Sequence, residues 1–545
     1  MKVAKVRGAD IVAQSLARAG VTQVYSLSGN HIMPVYDAAL DAGLSIVHTR
    51  HEGAAVHMAD AAGRLTGLPG IALLTGGPGH ANGVGALYTA LASESPLVML
   101  SGHAPLRELG KGSFQEMRQA DMAEPSVKAS WTAQSGATLG QDVARAMRIA
   151  ASGRPGPVHV SLPMDLLDDD DVDAATVPGS EAFVALEQPL GEAAVDAVLA
   201  LLGAGQRPLV LVGGIMSNGR ADAVRRELGD ALALPVICME SPRGLNDPAL
   251  GRLSGVVARA DVIVLLGKEP DFTMRFGQTI TAACRIAVID PETRALERAS
   301  AVLGAERVEF SAVGDSVSTA RRMIQRAARK ARAQDWCDEV EAALRYRPPE
   351  WSALDSTGGG AIHPVEVGRA VQRLIDASPE ALFVSDGGEF GQWAQACVDA
   401  PVRMINGPAG SIGSAVPFAL AARTVRRDAT IVAMTGDGAA GFHLLELDTA
   451  VRAGLPVVIV VGNDACWNAE HQIQLRTYGA ARAHSCELLP TRYDEVAIAL
   501  GAHGELVTRV GELPGALARA VASGKPACVN VMIQRLPAPV YPAGS

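Results

Sequence analysis

The chain has 545 residues, 48% of them hydrophobic, with a mean hydropathy of +0.17 and a formal net charge of −10. That length calls for two to four domains, and the composition supplies large buried cores rather than disorder. The acidic balance lacks any basic block, the seven cysteines are scattered without CxxC spacing, and no run reaches membrane-spanning length, which argues against nucleic-acid partners, a disulfide framework and a membrane span.

Residues 1–7 contain no apolar leader core, so a cytoplasmic protein is expected. Residues 9–19 have helical periodicity, and strands are predicted at 24–27, 44–48, 71–74, 97–100 and 158–163. The run Asp168-Asp169-Asp170-Asp171 that follows reads as a solvated linker. A second alternating unit has strands starting near Pro208 and at 262–267 and 286–290. A charge-rich helical stretch, 327–346, then leads through Arg347-Pro348-Pro349 to a flexible glycine turn at 357–360. The third unit has strands at 381–386, 431–434, 457–461 and 527–532. Strand and helix in repeated alternation predict an α/β protein of three doubly wound parallel-sheet domains with right-handed crossovers.

Two strand ends carry the chemistry. The strand at 431–434 runs into Gly436-Asp437-Gly438, and the next runs into Asp464, 27 residues later, the length of one helix plus one strand. A parallel sheet brings both carboxylates to its carboxyl edge, where α/β folds bind ligands. Two carboxylates beside glycine turns suit a hard divalent ion, which can hold a diphosphate. Earlier, Thr49-Arg50-His51-Glu52-Gly53 places a glutamate where a strand ends and a helix begins, ordinarily a favourable partner for the helix dipole. A further strand, glycine turn and helix start follow in Leu73 to Asn82. Gly77 and Gly436 stand 19 and 20 residues before Pro96 and Pro456 at the entries of apolar strands, a weak internal repeat.

These segments, with Ile32-Met33-Pro34-Val35-Tyr36-Asp37, Ser152-Gly153-Arg154-Pro155-Gly156-Pro157-Val158 and Gly410-Ser411-Ile412-Gly413, resemble the thiamine diphosphate-dependent enzymes of the acetohydroxyacid synthase and pyruvate oxidase type. The resemblance covers essentially the whole chain. It implies a pyrimidine-binding domain over 1–180, a Rossmann-like middle domain over 190–330 and a diphosphate- and Mg²⁺-binding domain over 350–540. Asp437, Asp464 and the Cys466 carbonyl would hold Mg²⁺. Many relatives carry asparagine at the place of Asp464, and a one-residue shift would make Asn463 the ligand. Gly387, Gly388, Gly436, Gly438 and Ala439 would face the diphosphate, with Trp467 nearby, and Ile412 beside Gly410 would wedge between the cofactor rings. Glu52, its turn oriented by His51, would bond the pyrimidine nitrogen and promote proton loss from the thiazolium carbon. Thr75, Pro78 and Asn82 would contact the cofactor from another subunit, in a homodimer or homotetramer with active sites between subunits.

For the substrate pocket the resemblance implies Ser28, Asn30, His31, Phe114, Gln115, Trp467, Ala469, Glu470 and His471. Phe114-Gln115-Glu116 resembles the acetohydroxyacid synthase pattern, whose glutamine faces the substrate. His31 departs from that enzyme and resembles benzaldehyde lyase, where a histidine in this loop handles protons, and Trp467 before Asn468-Ala469 is similar to that enzyme too. Met164 stands where acetohydroxyacid synthases usually have lysine, and the segment from Glu240 to Asn246 lacks their flavin-associated pattern, which argues against FAD. Lys268 to Gly277 resembles a loop of the CoA-lyase group, and Arg154 and Asp290 stand where oxalyl-CoA decarboxylase relatives contact an adenine nucleotide. With the chain ending at 545, soon after the last strand, a long lid for a CoA thioester is not expected. Three functions compete. The first is a carboligase or lyase acting at the carbonyl carbon of a 2-oxo acid or 2-hydroxy ketone. The second is a simple 2-oxo acid decarboxylase or a 2-hydroxyacyl-CoA or oxalyl-CoA lyase. The third is a degenerate scaffold, against which Glu52, Asp437 and Asp464 all stand. The first is the expected one.

Overall fold

The computed structural model describes residues 5–217, 219–328, 334–357 and 359–541. Residues 1–4 of the stretch read for a leader, 329–333 of the charge-rich segment, Gly358 of the glycine turn and 542–545 of the terminus lie outside the described residues. Two compact units emerge: the chain up to Leu186 with Leu420–Arg427 and Leu445–Leu455, and the remainder.

In the first unit a short antiparallel pair, β1 (Lys5–Val6) with β8 (Val172–Asp173), closes the ends. Between them lie β2 (Gln23–Leu27), β3 (Ser45–His48), β4 (Gly70–Leu74), β5 (Leu97–His103), β6 (Ala129–Thr132) and β7 (Pro157–Pro163), all parallel in the order β3-β2-β4-β5-β7-β6. The acidic run before β8 is exposed from Asp168 on, and the Asp171 carbonyl accepts from Lys5 Nζ at 2.7 Å.

The second unit holds two parallel sheets. One contains β9 (Pro208–Val212), β10 (Val236–Cys238), β11 (Val262–Leu266), β12 (Arg285–Asp290) and β13 (Val308–Val313) in the order β10-β9-β11-β12-β13. The other contains β14 (Leu382–Asp386), β15 (Val402–Ile405), β16 (Ile431–Gly436), β17 (Val458–Asn463), β18 (His503–Val507) and β19 (Ala527–Met532) in the order β15-β14-β16-β17-β19-β18. Central strands such as β9, β11 and β14 are buried along their whole length, as continuous apolar runs in helix-covered parallel sheets should be. Taken in chain order, the strands of this last sheet pair as those of the first unit do, so the weak repeat reflects one topology used twice.

Two expectations need correction. The segment 327–346 is not one helix: the helices are Ser316–Arg326 and Gln334–Arg345, and Ala327 and Ala328 belong to neither. Between β16 and β17 the chain makes two helices, Asp437–His443 and Glu446–Arg452, rather than one. The register survives that break. Gly436 pairs with Gly462, so the residues leaving β16 and β17, Asp437 and Asp464, depart from one edge of adjacent strands.

Candidate active site

In the second unit, Asp437 opens the helix Asp437–His443 and is 3% exposed. Its Oδ1 accepts the Gly438 N–H at 2.9 Å and its Oδ2 the Cys466 N–H at 3.3 Å. Burial pushes Asp437 up to about 6; burial and then the charge of Asp437 push Asp464 up to about 7. A buried aspartate and a half-buried one that it makes harder to ionise are a donor set that a divalent cation relieves. Among the described residues no three His, Cys, Asp or Glu side chains gather as a metal site, so a metal here would rest on two carboxylates and a backbone carbonyl, completed by phosphate and water oxygens. Asn463 does not compete. Its Nδ2 donates to the Thr491 carbonyl (3.0 Å) and Asn530 Oδ1 (3.1 Å), and its Oδ1 accepts from Ala465 N–H (3.2 Å).

The pocket over this pair is lined by Gly388, Ile412, Gly436, Gly438, Ala439, Cys466, Trp467, Ala469 and Glu470 as well as both aspartates, and by Glu389, Phe390, Gly462 and Asn468, which sequence reasoning missed. Gly438 has no room for a side chain, since a Cβ would stand 2.6 Å from the Trp467 ring. The Gly387 amide donates to Asp386 Oδ1 at 2.5 Å and the Gly438 amide to Asp437 Oδ1 at 2.9 Å. Gly410 lies exposed in a turn outside the pocket lining. His471 also stands outside it, on the helix Asn468–Tyr478 near the Glu487 carboxylate.

Ile412 is held by buried groups. Asp386 Oδ2 accepts the N–H groups of Gly413 (2.8 Å) and Ala415 (3.0 Å), and His443 Nδ1 bonds the Gly413 carbonyl at 2.7 Å. Arg535 Nη2 donates to the carbonyls of Asp464 (3.0 Å) and Ala465 (3.2 Å) while its guanidinium pairs with Glu487 at 2.7 Å.

In the first unit, β3 ends at His48 and the helix Glu52–Thr66 begins four residues on. His51 caps it, its Nδ1 accepting the Gly53 N–H at 3.0 Å, and the Arg50 N–H is taken by Glu446 Oε1 at 3.0 Å. Glu52 is 8% exposed. Its Oε2 accepts from Asn82 Nδ2 at 3.0 Å; its Oε1 accepts no hydrogen bond among the described residues and is left for a ligand. A ring nitrogen carrying or sharing a proton fits that oxygen. Pro78 opens the helix Pro78–Ala92 that carries Asn82, and the turn before it is pinned by Gln119, whose Oε1 accepts the Gly77 N–H at 2.8 Å.

His31 is 2% exposed, with Nδ1 3.4 Å from Thr75 Oγ1 and its ring stacked on Phe114 at 6.0 Å between centroids. Burial, then the charge of His103, lowers its pKa, while a bond to the Phe114 backbone opposes them. Phe114 is 67% exposed, and Gln115 holds a left-handed φ of 57° against Gly77, where a Cβ would come within 2.7 Å of its own. The structure thus gathers Glu52, Thr75, Pro78 and Asn82, and beside Thr75 gathers His31, Phe114 and Gln115. Ser28 and Asn30 are exposed, Ser28 Oγ lying 3.0 Å from His48 Nε2.

The N-terminal TPP binding domain of thiamine pyrophosphate enzymes matches residues 6–122, and the C-terminal TPP binding domain matches 386–531. A probable acetolactate synthase of Mycobacterium bovis is 34% identical over 98% of this chain and 97% of its own. The 2-hydroxyacyl-CoA lyase 2 of Homo sapiens is 30% identical over 97% and 90%, and an acetolactate synthase large subunit of Parasynechococcus marenigrum 30% over 97% and 88%. The chain belongs to the thiamine pyrophosphate enzyme family. What the motifs alone did not reveal in this thiamine pyrophosphate enzyme are the supports behind them: the buried Gln119 and Asp386 and the half-buried His443 and Arg535. Only Asp386 had a signal, a carboxylate ending a strand in register with Thr435.

Proposed function

We propose that this enzyme forms or cleaves a C–C bond at the carbonyl carbon of a 2-oxo acid or 2-hydroxy ketone, with Mg²⁺ as its metal. The observation that carries the reading is the pair of buried acidic sites: Glu52 with one oxygen tied to Asn82 and the other open, and Asp437 facing Asp464. When bound, thiamine diphosphate supplies a nucleophilic carbon and an electron sink. Glu52 orients the pyrimidine side and exchanges a proton at its free Oε1. Asp437, Asp464 and the Cys466 carbonyl hold the metal that carries the diphosphate charge. His31, kept neutral by burial, can take or return a proton at a substrate oxygen, and Phe114 and Gln115 form the wall beside it.

A second reading is favoured by the similarity to human 2-hydroxyacyl-CoA lyase 2: cleavage of a 2-hydroxyacyl thioester, or simple decarboxylation. We assign the pyrimidine side to residues 1–180, a middle domain to 190–330, for which no flavin is proposed, and the diphosphate side to 350–540. A homodimer or homotetramer with active sites between subunits is the assembly this reading requires. The seven free thiols suit a reducing cytoplasm. Product analysis of protein loaded with Mg²⁺ and thiamine diphosphate tests the reading. Acetolactate from pyruvate, a mixed product with benzaldehyde, or cleavage of benzoin supports it. Turnover of thioesters alone selects the second reading.

A further inference from the structure

His103 ends β5 and is 4% exposed. Its Nδ1 lies 3.1 Å from the Ala104 carbonyl and its Nε2 3.0 Å from the Met117 carbonyl. Carbonyl oxygens only accept. An N–H on Nε2 therefore donates to the Met117 carbonyl, the more distant of the two partners in sequence. The titratable groups around His103 are His31, His80 and His159, each disfavoured as a cation by burial first and by the charge of His103 further down, and the carboxylate Glu116. Glu116 is held low chiefly by accepting backbone N–H groups of Gly110 and Ser113, with His103 a smaller contribution.

The two carbonyls bracket the chain that carries Phe114 and Gln115. At one end of that loop, Glu116 accepts N–H groups from Gly110 (2.5 Å), Gly112 (3.1 Å) and Ser113 (3.0 Å), which folds the loop on itself. That fold does not anchor the loop to the sheet; His103 Nε2 on Met117 and the Gln119 amide on the Gly102 carbonyl do. Gly102 lies directly under His31, where an added Cβ would stand 2.5 Å from that of His31. The clamp and the stacked pair His31–Phe114 therefore share one strand end.

We propose that His103 is the positioning residue of this loop: its ring, set between the Ala104 and Met117 carbonyls, ties the Met117 end of the loop to β5 and so holds Phe114 and Gln115 beside His31 and the Thr75–Gly77 turn. This rests on the reading that Phe114 and Gln115 face the substrate. The ring and the loop are measurable without turnover, which separates the two claims. Full-length protein labelled with ¹³C and ¹⁵N in histidine is examined by NMR at pH 7, with His103→Gln assigning the signal. Hydrogen–deuterium exchange of the peptide covering 104–119 is followed in both proteins. The expected result is a His103 ring that carries a proton on Nε2 and, in His103→Gln, exchange of that peptide faster by about tenfold, the scale of one hydrogen bond. KM for the substrate found by product analysis should rise about tenfold while thiamine diphosphate affinity stays within about twofold. A His103 ring without a proton on Nε2, or unchanged exchange in the variant, overturns the proposal. If His103→Gln does not fold, the wild-type spectrum, assigned instead through a His103→Asn protein, decides. Altered exchange with unchanged KM keeps the clamp and removes the loop from the substrate site.

Discussion

The Asn82 side-chain amide donates to Oε2 of Glu52 at 3.0 Å, from the fifth residue of one helix to the first residue of another. It fixes the carboxyl rotamer while leaving Oε1 open. Glu52→Gln keeps the shape and an oxygen for Asn82 but cannot exchange a proton, so turnover should fall by about 10³-fold or more with the unfolding temperature unchanged within a few degrees. Asn82→Ala frees the rotamer and should cost roughly tenfold in kcat. Steady-state kinetics beside thermal unfolding checks both; full activity in Glu52→Gln would sink the assignment.

Asn463 and Asp464 are neighbours with opposite duties. Asp464→Ala removes a carboxylate that faces Asp437 and should raise the Mg²⁺ concentration for half-saturation by at least about tenfold, with little loss of stability, because the remaining aspartate is relieved of a like charge. Asn463→Ala takes the Asn463 donor from the buried Asn530 Oδ1 and the acceptor from the Ala465 N–H, while the Thr491 carbonyl keeps Asn530 Nδ2, and should destabilise the fold by about 2 kcal/mol. Titration of Mg²⁺ and urea unfolding separate the two. The reverse pattern would make Asn463 the ligand.

Why these places could be read in advance while others could not is a matter of range. Asp437, Asp464 and Glu52 sit where an apolar strand meets a glycine turn or a helix start, so their position at a sheet edge follows from local pattern and parallel topology. Gln119 and Arg535 act on backbone 42 and 71 residues away, and nothing local in the sequence records a carbonyl or an amide as a partner. Ser28 and Asn30 adjoin His31 in sequence, but the chain there turns His31 inward and leaves both exposed. The break between the helices Asp437–His443 and Glu446–Arg452 has no glycine or proline to announce it.

His80 supplies a pH dependence. It is fully buried, its Nδ1 3.0 Å from Ser101 Oγ and its ring 4.6 Å from that of His159, and burial lowers its pKa to about 4. The unfolded chain binds a proton there below about 6.5, the folded chain only below about 4. Between those values the unfolded state holds more protons, so stability falls as pH falls, by about 3 kcal/mol from this ring alone once below pH 4. Denaturant midpoints from pH 7 to 4 should show that slope, and His80→Gln should flatten it even if it lowers stability overall. An identical slope in the variant would assign the effect elsewhere.

Arg535 tests whether position or charge governs the metal loop. Its guanidinium bonds the carbonyls of Asp464 and Ala465, and Ala465 holds a left-handed φ of 53°, a conformation costing a non-glycine residue about 1 kcal/mol. Without Arg535 the loop can relax out of that conformation and carry Asp464 away from Asp437. Removing a cation near the aspartates acts in the opposite sense, since it lessens repulsion towards Mg²⁺. The guanidinium is already paired with Glu487, which is mostly exposed, so the charge it adds at the metal is largely cancelled and screened. Two lost bonds to backbone therefore outweigh it. Arg535→Ala should weaken Mg²⁺ binding by roughly tenfold, and Arg535→Lys, which keeps the charge but not the forked geometry, should recover only part of that loss. Tighter Mg²⁺ binding in Arg535→Ala would mean that the charge, not the positioning, is what Mg²⁺ feels.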